Sequence, residues 1–375
     1  MARDFIPVCE PTLGKEEVDN VVQAIKSGWI SSKGSFIDDF ERQFSAYIGA
    51  KHGISVCNGT AALHVALHAT GIGRGDEVIM PSFTMVATAD AALYVGAKPV
   101  FVDSEARTWN MDVTKVEKLV TKKTRAIMPM HTYGHPVDMG PVLEIAGRHG
   151  LLVIEDAAEA HGAEYKGKRV GCMGAAGCFS FYANKIITTG EGGMVLTNDD
   201  ETARKARLFK DLAHSERQRF LHDGVGYNYR MTNMQAALGV AQMTKIGMFV
   251  EARRRNAMTY NSMLKDVEGI VTPPEAKWAK NVYWMYGILV EDSFGLGRDR
   301  LMAELERKGI GTRSFFTPMN RQPFIRSMGL ANGRFPVAEM LGSRGLYLPS
   351  SSSLTREQIE RVCDAIKEIG KSKGG

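Results

Sequence analysis

The chain has 375 residues, 44% of them hydrophobic and 24% charged, which allows one large domain plus a smaller one around a sizeable core. Its net charge of +5 comes from 47 basic and 42 acidic residues with no basic tract, which argues against a nucleic-acid partner. The five cysteines form no C-x-x-C pair, so neither a disulfide framework nor a metal site is expected. No apolar run approaches the roughly 20 residues of a spanning helix. The start, Met1-Ala2-Arg3-Asp4-Phe5-Ile6-Pro7, carries no apolar signal core, and a soluble cytoplasmic protein without a membrane partner is expected.

In chain order, Asn58-Gly59-Thr60 precedes a good helix former, residues 61–67. Short continuous apolar runs then recur at 77–80, 99–102, 126–128, 151–154, 178–181 and 194–196. Such runs suit strands buried on both faces. Helical patterns at 113–120 and 139–149 lie between them, which is the signature of a largely parallel α/β sheet. Past residue 250 the texture changes: a polar helix, a strand at 282–290, a helix at 301–308 and a strand near 312–316. Thr355 and Gln358 form a capping box before a last helix with an apolar stripe at Ile359, Val362, Ile366 and Ile369. The serine run 350–353 reads as loop. A large α/β domain over 1–250 and a smaller α+β domain over 251–375 are expected.

Ligands in open α/β sheets bind outside the carboxyl ends of the strands. Polar residues collect at those ends: Asn58 to Thr60, Asp156, and Ser180 to Lys185. A dry pocket lowers a lysine's pKa and frees its amine for Schiff-base chemistry, and Lys185 directly follows an apolar strand. The glycines of Gly190-Glu191-Gly192-Gly193 let backbone approach a bound group. Gly59-Thr60 at a helix start could cradle a phosphate. Asp156 is either a capping carboxylate or the buried anion that keeps a pyridine nitrogen protonated.

Together, Asn58-Gly59-Thr60, Glu155-Asp156-Ala157-Ala158-Glu159-Ala160, Ser180-Phe181-Tyr182-Ala183-Asn184-Lys185, Gly190-Glu191-Gly192-Gly193 and Gly226-Tyr227-Asn228-Tyr229-Arg230-Met231-Thr232 resemble the motifs of the DegT/DnrJ/EryC1/StrS sugar aminotransferases. They stand in the family's order and cover nearly the whole chain. The resemblance implies a fold-type I, aspartate aminotransferase-like architecture and a homodimer with shared sites. It implies pyridoxal 5′-phosphate as cofactor, with pyridoxamine 5′-phosphate between the half-reactions. Lys185 would carry the cofactor and Asp156 would pair with its ring nitrogen. Gly59, Thr60 and Ser180 would hold the phosphate, with Ala61 and Met85 among the other contacts. Glu159 would sit by the ring hydroxyl, and Asn228 would reach the phosphate in the partner subunit.

The resemblance further implies L-glutamate as donor, yielding 2-oxoglutarate, and a nucleotide-linked 4-keto-6-deoxy sugar as acceptor, GDP-4-keto-6-deoxymannose first. Trp29, Arg219, His222, Arg313 and Asn320 are candidate substrate contacts. Three departures from the pattern stand out. Met85 stands where relatives stack an aromatic ring, Tyr182-Ala183 replaces Phe-Gly before Asn184-Lys185, and Asn320 replaces a histidine. They leave a dTDP- or UDP-linked sugar as the alternative acceptor. Lys185 itself argues against the dehydratases of the family, and the intact set Lys185, Asp156, Ser180 and Asn228 against a non-catalytic cofactor-binding regulator. No G-x-G-x-x-G follows the first strand, which disfavours a Rossmann dehydrogenase.

Overall fold

The computed structural model describes residues 5–215, 217–218 and 220–371. Seven strands form the central sheet: β1 (His52–Val56), β2 (Glu77–Pro81), β3 (Lys98–Val102), β4 (Thr124–Ile127), β5 (Leu152–Asp156), β6 (Ala176–Ser180) and β7 (Gly193–Thr197). Their spatial order is β1-β7-β6-β5-β4-β2-β3. Only β7 runs against its neighbours. The carboxyl ends of β1, β5 and β6 therefore emerge along one edge, carrying Asn58, Asp156 and Ser180.

Helices cover both faces, as a parallel sheet requires. Helix Gly59–Ala69 is buried over nearly its whole circumference, which its run of Ala, Leu and Val permits. Gly193 opens β7 and faces both Val56 and Ser180 across the ladder. A Cβ there would run into the Asn58 carbonyl oxygen. Backbone cannot step aside as a side-chain tip can, so Gly193→Ala is expected to cost about 1–3 kcal/mol of stability. It should also push the 58–60 turn off the site. Thermal melting and cofactor retention check this together, and an unchanged melting temperature would refute it.

A second, antiparallel sheet takes Ile270–Val271, Tyr286–Val290, Gly345–Leu348 and Arg313–Ser314 in that order. The expected strand over 282–290 pairs only from Tyr286. Its first residues spend their donors elsewhere: Val282 N–H bonds the Gly134 carbonyl and Trp284 N–H the Tyr133 carbonyl, at 3.2 and 3.0 Å. That detour carries Trp284 to the edge where Lys185 lies. β1 was not among the expected strands, because Gly53 and Ser55 interrupt its apolar run. Ser55 is nevertheless buried, with its N–H and hydroxyl both donating to Glu41, at 2.8 and 2.7 Å.

The apolar core falls into two clusters. Helix Ile246–Leu264 joins them, with Phe249 and Val250 in the first and Ala257, Tyr260 and Leu264 in the second. The last helix, Arg356–Lys371, has the capping box at Thr355 and Gln358, and its expected stripe is buried. Residues 350–353 are loop, but Ser350 and Ser351 are buried in it. Ser350 N–H bonds the Val8 carbonyl and Glu10 N–H bonds the Ser351 hydroxyl, each at 2.8 Å, which ties the first described residues to the end of the chain. Ile6 bridges to Ile310 in the same way. Among the described residues no helix is long and apolar enough to cross a membrane.

Candidate active site

A cavity of about 440 Å³ opens at the carboxyl edge of the sheet, between it and the strand Arg313–Ser314. Lys185 reaches it from the turn after β6, where its N–H bonds the Tyr182 carbonyl at 2.9 Å. The side chain is only 10% exposed, with Nζ 3.7 Å from Glu159 Oε1. Nζ also lies 3.7 Å from the centre of the Trp284 ring, which itself donates from Nε1 to the Asn184 carbonyl at 2.9 Å. Burial pushes the Lys185 amine below its ordinary pKa, against the pull of Glu159 and Asp156. The unprotonated, nucleophilic form is thus favoured closer to neutrality.

Asp156 closes β5 and is 2% exposed. Thr88 donates to its Oδ2 at 2.7 Å and the Ala158 N–H to its Oδ1 at 3.2 Å. Burial pushes this carboxyl up, while Thr88, Ala158 and the charge of Lys185 pull it back. A cation placed against it would hold it ionised. Glu159 accepts from the Tyr133 N–H at 2.9 Å and is likewise pushed up by burial, against the pull of Lys185. A carboxyl that takes a proton readily can share it with an anionic oxygen placed beside it. Tyr133 has φ of 54°, a left-handed conformation rare outside glycine. It is held there by the Glu159 bond and the Trp284 N–H.

At the other end, Asn58 caps helix Gly59–Ala69 by accepting from Ala61 N–H at 2.8 Å. The donor of Ala61 is thereby used, and Ala61 does not line the cavity. Gly59 and Thr60 do line it, and first-turn N–H groups have no partner inside a helix. A Cβ on Gly59 would stand 2.7 Å from Ser180 Cβ, so the glycine lets Ser180 close the cradle. Met85, 46% exposed, forms part of the wall with Ser314, Phe316 and Arg313. The side-chain oxygen of Asn184, in the same wall, is buried with no partner among the described residues.

Several anticipated residues lie elsewhere. Asn320 does not line the cavity: it is buried, accepts from Ser82 at 2.9 Å and donates to Glu339 at 2.7 Å, so its amide is spent on packing. His222 is exposed, with Nδ1 2.7 Å from the Leu212 carbonyl and its ring beside His214. Trp29 is 58% exposed and outside the cavity. Asn228 is also exposed and outside it. Arg219 lies outside the described residues. Conversely, Thr88, Trp284 and Tyr347 belong to the site and were not anticipated. Thr88 is read only through its contact with Asp156, and Trp284 only through the detour that interrupts its strand.

The donor set fits one kind of group: anionic at the helix end, basic at the Asp156 end, and electrophilic at Lys185 between them. This is the pattern of a fold-type I, aspartate aminotransferase-like enzyme that uses pyridoxal 5′-phosphate. Residues 11–367 match the model of the DegT/DnrJ/EryC1/StrS aminotransferase family, and the chain belongs to that family. It is 46% identical over 365 residues to a GDP-perosamine synthase of Caulobacter vibrioides, covering 97% of this chain and 98% of that one. It is 43% identical over 370 residues to a GDP-perosamine synthase of Escherichia coli O157:H7, covering 98% and 100%. The solved structure of S. venezuelae DesV, in complex with a ketimine intermediate, superposes with a TM-score of 0.89 at 36% identity, covering 95% of this chain and 94% of that one. The protein is a pyridoxal-phosphate-dependent transaminase.

Proposed function

We propose that the protein moves the amino group of L-glutamate to C4 of GDP-4-keto-6-deoxymannose, giving GDP-perosamine and 2-oxoglutarate, for use in a cell-surface polysaccharide. The observation that carries the reading is the buried Lys185 amine between Glu159 and the Trp284 ring, in a chain that matches two GDP-perosamine synthases over nearly its whole length. When bound, the cofactor supplies an electron sink that stabilises a carbanion beside the reacting nitrogen. Lys185 Nζ is the base that takes the proton from the carbon bearing that nitrogen and the acid that returns it. Asp156 holds a positive charge at the far end of the cavity, with Thr88 fixing its carboxylate. Gly59, Thr60 and Ser180 bind the phosphate. Trp284 shields the amine from water. Arg313, on the opposite wall, is the candidate for an anionic part of either substrate.

The proposal includes a cytoplasmic homodimer in which Asn228 completes the partner subunit's site. Two observations support it: Asn228 is exposed and away from this chain's own cavity, and Val18, Val22 and Ile25 form an exposed apolar row on helix Lys15–Ser27. It also includes a cofactor-binding unit over 1–250 and a smaller unit over 251–375. The second sheet, which takes all four of its strands from residues 270–348, supports the smaller unit.

The test is a panel of 4-keto-6-deoxy sugars linked to GDP, dTDP or UDP, with purified protein, the cofactor and glutamate, following 2-oxoglutarate and the amino sugar. The GDP sugar is expected to be turned over with the highest kcat/KM. Preference for another nucleotide would overturn the acceptor and leave the transaminase intact.

A further inference from the structure

Helix Gly59–Ala69 starts at the phosphate end of the cavity and runs away from it. His64 and His68 stand four positions apart on one face of it. Against them lie Tyr227 and Tyr229. His64 Nδ1 is 3.2 Å from the Tyr229 hydroxyl, and His68 Nδ1 is 3.1 Å from the Tyr227 hydroxyl. The two tyrosine rings stack on each other with centres 5.1 Å apart, and the His64 ring lies 4.6 Å from that of Tyr227. Burial keeps both imidazoles neutral, lowering His64 to about 4 with His68 contributing, so the contacts join uncharged rings.

Asn228 stands between the two tyrosines. In an extended segment alternate residues face opposite ways, so a segment held by residues 227 and 229 turns residue 228 outward. The backbone agrees: Asn228 bridges to Asp211, and Tyr229 N–H bonds the Lys210 carbonyl at 3.0 Å. Arg230 Nε donates to Asn228 Oδ1 at 2.9 Å. A guanidinium can only donate, so the amide oxygen must face it, and among the described residues the amide NH₂ has no partner and can donate to an anion.

We infer that His64 and His68 are positioning residues that seat Tyr227 and Tyr229 and so aim the Asn228 amide at the cofactor phosphate in the partner subunit. The inference rests on the proposed sharing of sites between subunits. One helix then cradles the phosphate of its own subunit at its start and presents the donor for the other subunit along its side.

Mixed dimers separate the two roles. One subunit carries Lys185→Ala, so only its partner can bind the cofactor through a lysine. That competent site receives Asn228 from the Lys185→Ala subunit. The readout is the fraction of Lys185 trapped as its phosphopyridoxyl adduct by borohydride, measured by mass spectrometry against cofactor concentration. His64→Leu with His68→Leu in the Lys185→Ala subunit is expected to raise the half-saturating concentration roughly tenfold. The same pair in the competent subunit should raise it less than about twofold. Tyr229→Phe, which keeps the ring and loses the hydroxyl, should act in the same direction with smaller size. Asn228→Ala, placed in each subunit in turn, is the control. A trans effect of Asn228→Ala with none from the histidines overturns the clamp and leaves the shared site standing. Histidine effects as large in cis as in trans overturn it too. No trans effect of Asn228→Ala overturns the shared site and the clamp with it.

Discussion

Lys185→Ala is expected to lower transamination about 10⁴-fold, the upper range for a positioned acid–base group. The amine is the one strongly basic group in the cavity wall that burial has shifted toward its unprotonated form. Glu159 replaces it poorly: the Tyr133 N–H holds one of its oxygens at 2.9 Å and fixes the carboxyl in place. Loss of the lysine leaves Asp156, Thr88 and the 58–60 turn in place, so cofactor should still bind without a covalent link. Added small primary amines should then recover part of the rate, because they supply a base to the space Nζ leaves. The measurement is 2-oxoglutarate formation with circular dichroism as the folding control. A folded variant that retains more than about 1% of the wild-type rate would remove Lys185 from the reaction.

Asp156→Asn should have the second largest effect, about 10²–10³-fold on kcat. The replacement keeps the volume and a partner for Thr88, and removes only the charge. A neutral amide cannot favour a proton on a ring nitrogen, so the electron sink weakens while the cradle is untouched. Cofactor absorbance should therefore persist while turnover falls. Thr88→Val, which removes one hydrogen bond to the carboxylate, should cost roughly tenfold or less. An Asp156→Asn enzyme within tenfold of wild type would show that the carboxylate is a structural cap.

Much of this site was legible before the fold was known, and the reason is local. Asp156, Ser180 and Lys185 each stand at or just after the end of an apolar strand, and strand ends in such sheets point to one edge; Asn58 was legible as the residue before a good helix former, which it caps. The cradle glycines were readable because close approach leaves few other choices. What could not be read depended on long-range packing. Trp284 joins Lys185 because two donors of its segment are drawn off to Tyr133 and Gly134, far earlier in the chain, where no local pattern could point. Asn320 occupies a motif position that suggested substrate, but Ser82 and Glu339 take up its amide. The strand His52–Val56 was hidden because its polar Ser55 is satisfied by Glu41, a partner on another element.

The tie between the first described residues and the Ser350–Ser351 loop has a consequence for synthesis. Glu10 and Ser351 are 341 positions apart. At about 5–20 residues per second, the early segment waits on the order of 20 to 70 seconds on the ribosome before its partner is made. During that time its backbone donors and the Ile6 side chain have no native place to go. The smaller sheet draws all four strands from its own stretch of chain, but a fragment beginning at residue 251 would leave the groove for Ile6 to Glu10 open. Halves of this protein made separately are thus expected to need each other to fold, and translation must be nearly finished before the last seam closes.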